Sequence, residues 1–306
     1  MHKDLDYLLA YPGGNSTALV ESRVERTEQP AVGSLLLAAP QIRKEQIEQV
    51  GFIEPATTKG AQARLQMASG ELCLNATRSL IAFLALCDLD AVDNVIGIET
   101  SGYEIQEQPA LITATTKLVG DGDVFVTLPL PLASLVEAPA HTEVLPLDGQ
   151  PTPLLLVQLK GITHLVIRQA DTPESLHSLL DHAHAGKSSL DLPQLEELFS
   201  LLYQERPDLA ARQAVGLIFL REKEGGFDLY PLVRVNQQKT TFYESSCGSG
   251  TIAAALACLQ LSPNHPLTFT QPSGSNLEVS FLSPSAGDTV TLAGTVSILR
   301  KGSIDI

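Results

Sequence analysis

Glu71-Leu72-Cys73-Leu74-Asn75-Ala76-Thr77 and, far downstream, Glu244-Ser245-Ser246-Cys247-Gly248-Ser249-Gly250-Thr251 are two versions of one arrangement: a cysteine at the head of a run of small and apolar residues. After Cys73 the apolar positions Leu80, Phe83, Leu84 and Cys87 recur at i, i+3, i+4 and i+7. After Cys247, Ile252, Ala255, Leu256 and Leu259 keep the same spacing. This periodicity predicts two helices, each opening at its cysteine. Both are apolar on nearly every side, the pattern of a helix wrapped by sheet.

Strands surround them in the sequence. Val50–Glu54, Asn94–Glu99, Leu111–Thr115, Val124–Leu128, Leu154–Gln158, Ala214–Phe219, Leu267–Thr270 and Val290–Ala293 are β-rich or alternating runs. Turn signals such as Gly120-Asp121-Gly122-Asp123 and Glu224-Gly225-Gly226 separate them. One more helical stretch, amphipathic and polar-faced, runs from about Pro173 to Glu205, and Ser34–Ala39 fits a helix end or a strand. The expected fold class is therefore α/β (α+β), with strands around a buried helix that begins at a cysteine, and then the same again. The proline-rich stretch from Leu128-Pro129-Leu130-Pro131 to Pro151-Thr152-Pro153 reads as the crossing between the halves.

The bulk numbers exclude several function classes. The chain has 306 residues, 44% hydrophobic and 18% charged, enough for a sizeable core. Its 20 Lys and Arg against 35 Asp and Glu give a net charge of -15, which repels phosphate backbones, so no nucleic-acid partner is expected. No apolar run approaches the ~20 residues that span a bilayer, and Met1-His2-Lys3-Asp4-Leu5-Asp6 has no signal-peptide pattern, so no membrane partner is expected either. Four cysteines without a C-x-x-C pair make no disulfide scaffold and fit a reducing cytoplasm.

The chemistry lies with the two cysteines. A thiol at a helix N-terminus sits at the positive end of the macrodipole, which favours the thiolate, whereas burial opposes it. A thiolate on one face of a carbon and a thiol on the other would remove a proton and return one with inversion. The proton on the α-carbon of an amino acid is very weakly acidic, because the carboxylate resists further negative charge. Backbone N–H groups at helix N-termini, aimed at that carboxylate, stabilise the carbanion. Gly248 and Gly250 allow close approach, Ser249 and Thr251 add hydroxyls, and Asn75 and Thr77 do so at the first site. Cys87 and Cys258 read as core packing. The Cys247–Thr251 run lacks the lysine of a phosphate loop, and no lysine stands in a pyridoxal-anchoring context. His164 lies in an apolar strand and by itself reads as a core residue, while His177, His182 and His184 read as a solvated helix surface without a shared metal.

At these residues the chain resembles the diaminopimelate-epimerase-like superfamily, most closely its cofactor-independent histidine racemases of opine-metallophore biosynthesis. The resemblance runs through Tyr11–Val20, which looks like the family's first asparagine-containing strand, then Glu48–Glu54, Met67–Thr77, Glu244–Thr251, Gln271–Gly274 and Thr291–Val296. It implies two pseudo-symmetric α/β halves, each a β-barrel-like sheet around a central helix, with the active site between them. The expected bounds are 1–140 plus 288–306 for the first half and 141–287 for the second. It implies that Cys73 and Cys247 are the acid/base pair, with Asn15, Glu48, Gln49, Leu74, Asn75, His164, Glu244, Gly248 and Ser249 at the substrate. It places His164 beside the first cysteine, and it implies a homodimer without cofactor or metal, acting on a small-molecule amino acid. Two departures bear on the substrate. Gln237-Gln238-Lys239 replaces the Glu-Arg pair that diaminopimelate epimerases carry before the second cysteine, and Leu74 replaces a glycine. A racemase or epimerase of another amino acid, diaminopimelate included, or an amino-acid-binding protein of the same fold without turnover, are the alternatives these departures leave.

Overall fold

The computed structural model describes residues 4–45, 47–87, 95–174, 176–177, 192–236, 239–259, 265–282 and 289–306. It divides into two units, Met1–Leu130 with Thr291–Ile306, and Pro131–Val290.

In the first unit the strands Asp4–Tyr11, Thr17–Val20, Gln49–Glu54, Ala63–Met67, Val95–Thr100, Ile112–Gly120 and Asp123–Pro131 pair in that order. Thr289–Asp305 follows and pairs back onto Asp4–Tyr11, which closes the ring. A closed ring leaves no strand edge open to other chains. Helix Leu74–Cys87 is buried at every residue from Leu74 to Phe83 and touches five of these strands. Its all-round apolar pattern thus reports a wrapped helix, as expected.

Two pairs in the ring are parallel: Thr17–Val20 with Gln49–Glu54, and Ala63–Met67 with Val95–Thr100. Parallel neighbours need a crossover, usually helical. Helix Gln29–Ala38 lies in the first connection and the cysteine-headed helix in the second. Ser34–Ala39 is therefore a helix end and not a strand.

The second unit repeats this succession. Strand Ile162–Arg168 is parallel to Ala214–Lys223, with helix Leu192–Glu205 in the connection. Gly226–Val235 is parallel to Leu267–Thr270, with helix Gly248–Cys258 in the connection. The strand order is Val136–Leu147, Gln150–Leu159, Ile162–Arg168, Ala214–Lys223, Gly226–Val235, Leu267–Thr270 and Asn276–Leu282; among the described residues it does not return to its first strand. Helix Gly248–Cys258 packs on four of these strands, and Leu198, Phe199 and Leu202 join the apolar cluster that includes Leu156, Leu165, Leu217 and Leu232.

The proline-rich stretch contains a hairpin of two long strands, with Leu147 opposite Gln150. Pro139 and Pro146 are tolerated because Val136–Leu147 is the outermost strand of the order, with shifted register before His141, where missing donors are least harmful. The two units divide at Leu130/Pro131, inside the proline-rich stretch, and at Val290/Thr291. Asn15 lies in the turn between two strands, not in a strand. The helix expected from Pro173 is described from Leu192 to Glu205; His182, His184, Gln237 and Gln238 lie outside the described residues. Among the described residues no helix is long and apolar enough to cross a membrane.

Candidate active site

The two cysteine-headed helices begin with the same set of bonds. Ala76 N–H points at Cys73 Sγ at 3.4 Å, and Gly250 N–H points at Cys247 Sγ at 3.3 Å. Thr77 donates its hydroxyl to Cys73 O at 2.7 Å and its N–H at 2.9 Å; Thr251 does so to Cys247 O at 2.6 and 2.9 Å. Each sulfur thus caps its helix, accepting one of the N–H groups that a helix start leaves free. An amide hydrogen and the positive helix end both favour the thiolate.

Each sulfur also faces an acceptor suited to its thiol form. Cys73 Sγ lies 2.8 Å from Gln49 Oε1. The Gln49 amide is oriented from behind, since its Nε2 donates to Asn15 O at 2.9 Å. Asn15 makes this possible by adopting a left-handed backbone, φ 54°, which asparagine tolerates better than most residues. Cys247 bonds the Glu244 carboxylate, and burial, aided by Glu244, pushes its thiol well above the usual range. Ser249 Oγ, 3.6 Å from Sγ, and the Gly250 amide pull the other way. A group that must hold a proton in one half-cycle and lack it in the next needs both kinds of partner.

His164 is tied to the second cysteine's helix. Its Nε2 is 3.0 Å from Ser249 Oγ, and the ring is wholly buried. A β-carbon at Gly216, its neighbour across the strand pair, would stand 2.3 Å from His164 Nδ1, so only glycine leaves room for the ring. The Nε2 bond joins His164 to the residue next but one to Cys247. Being buried, the ring contacts that site through Ser249.

Burial pushes His164 down to about 3 from an ordinary 6.5. Between these values the unfolded chain holds a proton that the folded chain lacks. The stability contribution is therefore complete above pH 6.5 and declines as pH falls toward 3, by about 1.4 kcal/mol per pH unit. Glu99 acts in the same sense at lower pH. Burial alone would raise its carboxyl, but hydrogen bonds from Thr58 and Thr57 outweigh that and hold it at about 2, so its contribution fades below pH 4.5. Urea unfolding between pH 7 and 5 should thus show an acid slope in the wild type that His164→Asn flattens; an equal slope in the variant would show that the imidazole is not held neutral.

The structure brings Asn15, Gln49 and Cys73 together in one unit, and His164, Glu244, Cys247 and Ser249 in the other. Gly248 is buried at the helix start. Leu74 and Asn75, the first residues of the helix, are buried at 5% and 2% exposure. Glu48 is exposed, and its N–H bonds Ser16 O.

Two residues were not read from the sequence as members of the site. Gln271 is buried; its Oε1 accepts the Cys247 N–H at 3.0 Å and its Nε2 donates to Thr251 Oγ1 at 3.2 Å, which fixes the second helix start. Arg78, wholly buried on the first helix, is the other. An arginine inside an otherwise apolar helical run was the signal available for it. Among the described residues no group of three His, Cys, Asp or Glu is placed to hold a metal ion.

Over residues 4–304 the sequence matches the family model described as the histidine racemase CntK N-terminal domain. The chain belongs to the histidine racemase family. Members with curated descriptions include a histidine racemase of Fusobacterium nucleatum subsp. nucleatum, 23% identical over 99% of this chain and 97% of its own length. Another is the histidine racemase of Staphylococcus aureus strain Mu50, 24% identical over 95% and 94%. Solved structures show that the chain shares its fold more widely. A PhzF-family phenazine biosynthesis protein of Bacillus anthracis superposes with TM-score 0.62 at 12% identity, covering 99% of this chain and all of the other. A hydroxyproline epimerase of Agrobacterium vitis, with bound trans-4-hydroxy-L-proline, superposes with TM-score 0.61 at 12% identity, covering 99% and 93%.

Proposed function

We propose that this protein is a cofactor-independent amino-acid racemase that interconverts L- and D-histidine, with Cys73 and Cys247 acting on opposite faces of the α-carbon. The observation that carries the reading is the matched pair of helix starts, in which each sulfur has an amide donor for its thiolate and an acceptor for its thiol. In one direction a thiolate takes the α-proton while the opposite thiol gives its own; the reverse direction runs with the roles exchanged. Two-sided proton transfer of this kind needs no electron sink when the carbanion's carboxylate is held by preorganised N–H groups. Those at Asn75, Gly248 and Ser249 are the donors for it. Asn15 and Gln49 shape the first thiol's side, and Glu48 is the carboxylate for the imidazole or ammonium of the substrate.

Ser249 links the second sulfur to His164. With the imidazole proton on Nε2, the histidine donates to Ser249 Oγ and leaves the hydroxyl hydrogen for the Cys247 thiolate. D-histidine from this reaction would serve metallophore biosynthesis, with the enzyme working as a homodimer in a reducing cytoplasm that keeps both thiols free.

In heavy water under reducing conditions, without added cofactor, the enzyme should place deuterium on the α-carbon of histidine and convert either enantiomer to the racemate. No exchange with histidine, but exchange with another amino acid, would move the substrate and keep the mechanism, an outcome to which Leu74 points. Binding without exchange of any amino acid would defeat the racemase reading.

A further inference from the structure

Arg78 is the largest fully buried side chain among the described residues. It stands on the second turn of helix Leu74–Cys87, near the positive end, where a cation is disfavoured. Its Nη2 donates to Pro12 O, while Nε and Nη1 are buried without a hydrogen-bond partner. An isolated buried charge of this kind is strongly unfavourable unless an anion answers it. Burial pulls the guanidinium down to about 10, and Cys73 is the group whose negative charge opposes that pull.

The single bond to Pro12 has a consequence for geometry. Pro12 opens the turn Pro12-Gly13-Gly14-Asn15-Ser16, in which Gly13, Gly14 and Asn15 all have positive φ. Asn15 O orients Gln49, and Gln49 Oε1 meets Cys73 Sγ. The path from the helix through Arg78, Pro12, Asn15 and Gln49 therefore returns to the helix at its own capping sulfur.

We infer that Arg78 is a positioning residue for Cys73: its buried guanidinium holds the thiolate form of that sulfur and, through Pro12, sets the turn that orients Gln49 toward the thiol form. The inference rests on the reading of Cys73 as an acid/base thiol. The other ionisable groups about Cys73 are Glu71, two residues before it, and Glu48, next to Gln49. Glu71 is turned onto the N–H groups of Ser69 and Glu71 itself, and burial raises its carboxyl. Gln49 is neutral, so Arg78 is the cation of this set.

The test is the pH dependence of Cys73 alkylation by iodoacetamide in the intact, reduced enzyme without substrate, read peptide by peptide by mass spectrometry. Arg78→Met should raise the midpoint for Cys73 by about one pH unit or more, the usual effect of removing an adjacent opposite charge. Arg78→Lys, which keeps the charge, should stay within a few tenths of the wild type. Arg78→Gln carries the same expectation as Arg78→Met, and an unmoved midpoint in either folded variant overturns the inference. A purely structural arginine would lower the unfolding midpoint in all three variants and leave the alkylation profile alone. Because the assay uses no amino acid, a shifted midpoint in an enzyme that fails to racemise histidine would support Arg78's role while removing the proposed substrate.

Discussion

Cys247→Ala and Cys73→Ala should each lower histidine racemisation by at least about 1000-fold, the scale of losing the one proton-transfer group on a face of the substrate. The two variants should not be equivalent to a dead enzyme, however. A single remaining thiolate can still remove the α-proton from the enantiomer that presents it and return a solvent-derived deuteron to the same face. Each variant is therefore expected to label one enantiomer of histidine slowly in heavy water without inverting it, and the two variants should label opposite enantiomers. Chiral chromatography with mass detection reads both quantities at once. A single variant that racemises at the wild-type rate, or two variants that label the same enantiomer, would sink the two-thiol scheme. Alanine is preferable to serine here, because a hydroxyl at the same position can relay a proton.

Glu244→Gln carries the second large effect. Cys247 is buried at 4% exposure, and its thiol is pushed well up by that burial and by the Glu244 carboxylate it bonds. Glutamine removes the carboxylate's share of that effect and leaves the burial, so the variant's thiol should lose its proton at lower pH than the wild type's. Cys247 is then a poorer proton donor near neutrality. Racemisation near pH 7 should fall by about 100-fold, then recover as pH is lowered and the thiol is protonated again. The rescue by pH is the diagnostic part. A variant with an equal deficit at every pH would mean that Glu244 only shapes the site, and a variant with wild-type activity near pH 7 would remove it from the mechanism.

Much of this was legible in the sequence for a physical reason. The helix period of the residues after Cys73 and Cys247 is a local property, and so is the absence of a polar face, which already implies enclosure by sheet. Positions of thiols at helix starts follow from the same local pattern. The hairpin among the prolines between residues 129 and 153 was not legible locally, because proline's cost in a strand depends on which neighbours the strand has. Val136–Leu147 is outermost in its order, so its prolines displace few ladder bonds.

What the chain order alone determined is the repeat itself: cysteine, capped helix, surrounding strands, twice over. Tertiary structure decided which groups each sulfur meets. Gln49 reaches Cys73 across 24 positions, His164 reaches Ser249 across 85, and Arg78 reaches Pro12 across 66. Such meetings depend on strand register and on the space a glycine such as Gly216 leaves, and neither is written in the local spacing of residues. Proton affinities follow the same division, because a thiol, an imidazole and a guanidinium have ordinary values in the chain and acquire others when burial removes water and the fold supplies particular neighbours.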